Sequence, residues 1–155
     1  MKLHVRRNAS RSLHPRRGPF RRGGAILEAA LVLPILLALT FGMIEYGYFF
    51  FLKHTLQGAA RDGARIAIVP NGTNAKITST VLAAMTSSGL NTLPYQVDIQ
   101  NGSTSGAINV ATATAQTPIK VVVRLNWSAI NTGLRPMGLI DGGKQVSGTA
   151  VMVKE

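Results

Sequence analysis

The sequence predicts an α+β protein in which one long N-terminal helix leads into a second helix and then a small antiparallel sheet. Three observations carry this. An apolar stretch of bilayer length lies near the N-terminus, helical spacing continues beyond it, and alternating patterns separated by turn signals fill the last third of the chain.

The basic residues come first. Residues 1–23 hold Lys2, Arg6, Arg7, Arg11, Arg16, Arg17, Arg21 and Arg22 and no acid, which is eight of the net eleven positive charges; the remaining residues carry nine bases and six acids. Arg, Ser, His, Pro and Gly dominate this segment and it has no apolar periodicity, so it reads as a tail rather than part of a fold. Its concentration in a leader gives no support to nucleic-acid binding by a folded surface. The chain has no cysteine, which excludes disulfides and thiolate metal sites.

Ala25 to Leu52 is an apolar run interrupted by Glu28, Thr40, Glu45 and a few small residues. Between the two glutamates, Ala29–Ile44 is free of charge, and its 16 residues cover about 24 Å at ~1.5 Å each, against the ~30 Å of a bilayer core. Each glutamate is therefore expected near one interface. Tyr46 and Tyr48 fit an aromatic belt, and the bases before the span place the N-terminus in the cytoplasm. A cleavable secretory signal has an apolar region of about 7–15 residues, so this longer one is expected to be retained. Pro34, in mid-span, removes the hydrogen bond to the Ala30 carbonyl and should kink the helix.

The helix is expected to continue. Leu52, Leu56, Ala59, Ala60, Gly63 and Ala67 form one stripe, with Gln57, Arg61 and Arg65 on another, and Pro70-Asn71-Gly72 ends the pattern. A helix over 24–69 would be about 69 Å long, so half of it lies against a globular part. A second helix is expected over 74–87, from Ile77, Val81, Leu82 and Met85, closed by Gly89. Strands follow at 95–99, 108–114, 119–127 and 145–153. Ile119, Val121, Val123, Leu125 and Trp127 share one face, and Asn101-Gly102 and Gly142-Gly143 mark turns. The expected domains are a leader over 1–23, a transmembrane helix over 24–52 and an extracytoplasmic α+β domain over 53–155, which includes the helix extension 53–69.

Catalytic chemistry finds no support. Asp62, Asp98, Asp141, Glu155 and His54 are scattered, and the metalloprotease, nucleophile-elbow and P-loop patterns are absent from the sequence. No catalytic residue, metal or cofactor is expected.

The quoted segments carry a family resemblance. Gly-Gly-Ala-Ile-Leu-Glu at 23–28 resembles the prepilin-peptidase site of type IV pilin-like proteins: a basic leader ending in glycine, then an apolar segment with Glu at its fifth position. More narrowly, 25–34, 42–47, 56–65 and the ending 148–154 are similar to TadE-like pseudopilins of the tight-adherence (Flp-type) pilus system. The resemblance implies a pilin-like fold and a structural role as a membrane-anchored pseudopilin or minor pilin of an adhesive pilus. It implies processing at Gly23 and Gly24, where a cut between them makes Glu28 the fifth residue and a cut after Gly24 makes it the fourth. It also implies assembly through Glu28; Pro34, as a break in the helix, and Glu45, near the outer interface and placed to pair with a basic group of a partner, are further assembly candidates. The implied partners are a prepilin peptidase, other pilin-like subunits, tight-adherence assembly proteins and membrane lipid, with no nucleic acid. The implied location is the inner membrane, single-pass, with the C-terminal domain outside. The alternative is an uncut, single-pass membrane-anchored binding module.

Overall fold

The computed structural model describes residues 22–130 and 135–155. The tail over 1–21 lies outside them. The chain divides into two compact units, residues 1–35 and 36–155.

Helix α1 runs Arg22–Ile68, 47 residues, with Pro34 inside it. Among the described residues it is the one helix long and apolar enough to cross a membrane. Every residue from Gly23 to Phe41 is exposed. Thr40, the polar break in the run, is satisfied within the helix, its Oγ1 donating to the Leu36 carbonyl at 2.8 Å.

In the second unit, α1 changes from an exposed apolar rod to one wall of a core. Leu52, Leu56, Ala59, Ala60, Ala64 and Ala67 are all buried, as the stripe predicts. Its small residues allow close approach: a Cβ on Gly63 would lie 3.1 Å from Val81 Cγ2 and 3.2 Å from Ile77 Cγ2. Gly58 is different, because nothing stands within 4 Å of a Cβ placed there. It incurs the conformational cost of glycine without a packing return, so Gly58→Ala should raise stability by about 1 kcal/mol, read as a higher thermal midpoint.

The chain reverses at Asn71 (φ 65°) and Gly72, whose amide donates to the Val69 carbonyl at 3.0 Å. Helix α2 spans Asn74–Ser87, the predicted bounds, with Thr73 Oγ1 accepting from the Lys76 amide as N-cap. Gly89 (φ 71°) closes it: Gly89 N–H donates to Thr86 O, and Leu90 N–H to Met85 O. Ile77, Val81 and Met85 are buried, but Leu82 is 49% exposed. The buried stripe is the narrow i, i+4, i+8 row that meets α1, and Leu82 stands one position off it.

The sheet has order β1-β2-β3, antiparallel throughout, with β1 Tyr95–Asn101, β2 Pro118–Asn126 and β3 Gln145–Val153. Val97 pairs Val123, which pairs Gly148. Ile119, Val121, Val123, Leu125 and Trp127 are all buried, on the predicted face, although Trp127 begins a short 3₁₀ turn rather than ending the strand.

The expected strand over 108–114 does not form. Val110–Thr112 is a 3₁₀ turn capped by Asn109, whose side chain accepts from the Ala111 amide. Side chains replace a ladder there: Asn74 Nδ2 donates to Ile108 O at 2.9 Å, its Oδ1 accepts from Val110 N at 2.9 Å, and Lys154 Nζ donates to Val110 O at 2.6 Å. Weak alternation over small residues offers too little apolar surface to outweigh those bonds.

Sheet and α1 meet most closely at β3. A Cβ on Gly148 would fall inside the van der Waals envelope of the Leu56 carbonyl and the Gln57 amide. Beside it, Gln57 makes paired bonds to the free edge of β3, Nε2 donating to Thr149 O at 2.7 Å and Oε1 accepting from Thr149 N at 3.1 Å. Lys53 Nζ donates to Ser147 O at 2.7 Å. An edge that would otherwise present unpaired groups is thus partly covered by a helix of the same chain.

Candidate functional site

Two groups of residues were singled out by the sequence, and they fall in different units. Gly23, Gly24, Glu28 and Pro34 belong to the first. Gly23 and Gly24 occupy the opening turn of α1, with nothing within 4 Å of either. Glycine is a weak helix former, and the opening turn of a helix lacks part of its hydrogen bonding, so this turn frays readily. Glu28 is exposed about one turn further on, past the first turn of α1, which carries no acid. Pro34 is exposed and α1 continues through it.

Glu45 belongs to the second unit, and its surroundings are specific. It is wholly buried, the one polar or charged residue in the buried set among the described residues. Its carboxylate accepts from two backbone amides of a single loop: Oε2 from Met137 N at 3.3 Å and Oε1 from Ile140 N at 3.0 Å. A buried carboxylate without such donors would be strongly unfavourable. The loop is held from its other side by Arg135, whose Nη1 donates to Trp127 O at 3.4 Å while its guanidinium carbon lies 5.8 Å from the Trp127 ring centroid. Trp127 packs edge-on to Phe49 at 5.4 Å and tilted to Tyr48 at 6.4 Å. The packed part of the domain therefore reaches back along α1 to Glu45, upstream of residue 53. The burial has a simple cause: loop 135–141 folds back beside the helix, and Glu45 is the acceptor it closes on.

Loop residues Met137, Leu139 and Ile140 escape the sequence reading. Arg-Pro-Met-Gly-Leu-Ile (135–140) has no period of 2 or 3.6, and the group it binds lies about ninety residues upstream. The mixture of Pro, Gly and large apolar residues was the available signal.

The other titratable residues do not converge. Asp98 pairs with Arg124 across the sheet at 2.6 Å. Asp141 Oδ1 accepts from Gly143 N in the turn before β3. His54, Asp62 and Arg65 are exposed, and among the described residues no salt bridge joins Asp62 to Arg65.

Residues 23–65 match the family model described as TadE-like protein. The match takes in the glycine pair, Glu28, Pro34, Glu45 and most of the small-residue stripe, and stops short of the sheet. Neither the curated proteins nor the solved structures gave a match. The similarity to TadE-like proteins is carried by residues 23–65, the segment with the glycine pair and both glutamates.

Proposed function

We propose that the chain is a pseudopilin or minor pilin supporting assembly of an adhesive tight-adherence pilus, without catalytic activity of its own. The observation that carries this is the coincidence of the TadE-like match with an exposed apolar helix that opens on Gly23-Gly24 and bears Glu28 one turn later. The basic leader holds the N-terminus at the cytoplasmic face of the inner membrane, and the sheet domain stands outside. A prepilin peptidase cuts at the glycine pair, which removes the eight leader bases if the cut follows Gly23 and creates a new α-amino group beside hydrocarbon.

Glu28 then acts by charge. An amine and a carboxylate in low dielectric are each unfavourable alone and much less so together. Glu28 of one subunit pairs with the new amine of a neighbour, which sets the axial register between adjacent helices. Pro34 supports the same step, because the freed Ala30 carbonyl weakens the helix where it must adjust on leaving the bilayer. Glu45 serves assembly indirectly, by holding loop 135–140 in place.

Intact mass and N-terminal sequencing of the membrane-extracted protein test the reading, with and without an active peptidase. A mature chain starting at Gly24 or Ala25 is expected. A chain still starting at Met1 beside an active peptidase refutes it and leaves the uncut, single-pass anchored binding module. Glu28→Ala should be cleaved normally yet fail to support pilus formation; unchanged piliation would remove the pairing role.

A further inference from the structure

The loop that Glu45 holds turns Met137 and Leu139 outward, while Ile140 packs against the core. Both amide bonds to Glu45 draw backbone polarity inward, while Met137 is 42% and Leu139 49% exposed. Gly138 (φ 61°) makes the turn between them possible. Leu139 lies directly over α1, its Cδ1 3.5 Å from the place a Cβ on Gly42 would take. With Ala38, Leu39, Gly42, Met43 and Tyr46 it lines a cleft of about 360 Å³, whose walls are almost wholly apolar.

The position of this cleft along α1 says what fills it. Ala38 and Leu39 lie inside the charge-free run Ala29–Ile44, five or six residues before its end, or about 9 Å at the helix rise. Leu139 is therefore level with the last turns of the apolar run rather than beyond it. Tyr46, Phe50 and Phe51, all exposed on α1 just past that run, supply the aromatic belt of a membrane interface. Lys53 follows on α1, and Asp141 and Lys144 line a neighbouring cleft beside Tyr46 and Ile140, the polar edge of the loop. A loop with Leu and Met outward would lose about 25 cal/mol for each Å² of apolar surface left in water. Set into a leaflet, the same side chains lose nothing.

We infer that loop 135–140 is a lipid-embedded foot: Met137 and Leu139 enter the leaflet on the domain side, and phospholipid acyl chains fill the cleft against Ala38, Gly42 and Tyr46. The occupant is lipid rather than a protein partner because the cleft is continuous with helix surface already facing hydrocarbon. The foot fixes the height of the external domain on the bilayer, and Glu45 is the clamp that makes it. The inference rests on α1 spanning the membrane.

The chain has no cysteine, so single cysteines can be labelled in the full-length protein with an environment-sensitive fluorophore. Leu139→Cys and Met137→Cys are the test sites, Leu33→Cys the span reference and Val151→Cys, exposed on β3, the aqueous reference. In phosphatidylethanolamine–phosphatidylglycerol vesicles, labels at 137 and 139 should emit to the blue and lose most of their intensity to nitroxide-labelled lipid, as at 33 and unlike 151. Trp127 emission checks that each variant is folded. Labels at 137 and 139 that behave like 151 while 33 is quenched overturn the foot alone. Absence of quenching at 33 as well overturns the membrane reading and the foot together. Shielding at 139 that grows with protein-to-lipid ratio but ignores the nitroxide lipid marks a surface between protein copies and also overturns the proposal.

Discussion

Replacing Gly148 with alanine is expected to lower the thermal midpoint of the folded domain by about 10 °C or more, which corresponds to about 3 kcal/mol for a domain of this size. The added methyl meets the backbone of α1 at Leu56 and Gln57, not the end of a side chain that can swing away. Relief requires β3 to move off the helix as a unit. That movement also stretches the paired bonds between Gln57 and Thr149 and the bond from Lys53 to Ser147. Val123, the cross-strand partner of Gly148, is buried and would lose packing at the same time. Tryptophan emission reports the event, because Trp127 is the one tryptophan in the chain and is fully buried against Phe49. Gly58→Ala is the internal control, one α1 glycine with open space around it. Destabilisation of similar size at both positions would mean that helix flexibility, not close approach, governs the result.

The contrast between those glycines shows where sequence reasoning reaches its limit. Periodicity found α2 at its observed bounds, the buried α1 stripe and the core face of β2, because each is a local repeat that burial enforces along its whole length. It put Gly63 on the buried stripe and left Gly58 off it, but it could not name Ile77 and Val81 as the residues that cross above Gly63. It made a strand of 108–114 because alternation is blind to the side chains that replace the ladder: Asn74 and Lys154 come from opposite ends of the domain. It placed Leu82 on the buried face because it did not know how narrow that face would be.

The site divides in the same way. Gly23, Gly24, Glu28 and Pro34 stand out by their spacing along one helix, and the processing and assembly roles proposed for them come from the family resemblance. Glu45 was legible as a charge out of place beside an apolar run, but not as a clamp. Its partners are backbone amides, which carry no residue-type signature, on a loop that topology alone returns to α1.

Glu45→Ala therefore separates two accounts of that residue. If the carboxylate clamps loop 135–140, its loss leaves the Met137 and Ile140 amides without their acceptor and opens a small void beside Tyr48 and Phe49. Two lost bonds to a charged acceptor should then cost the loop about 3 kcal/mol. Local opening would bring amide exchange at Met137 and Ile140 up by about a hundredfold, measured by hydrogen exchange on the detergent-solubilised chain. Trp127 emission should shift as well, since Arg135 would be released from its ring and carbonyl. Glu45→Gln keeps one acceptor oxygen in place of two and should fall between wild type and alanine. If Glu45 instead served to pair with a cation on another subunit, the isolated Glu45→Ala chain would keep its exchange rates and emission, and only assembly would fail. Buried carboxylate geometry favours the first outcome: both oxygens are already engaged within the chain, and a partner's cation could reach them only by displacing the loop.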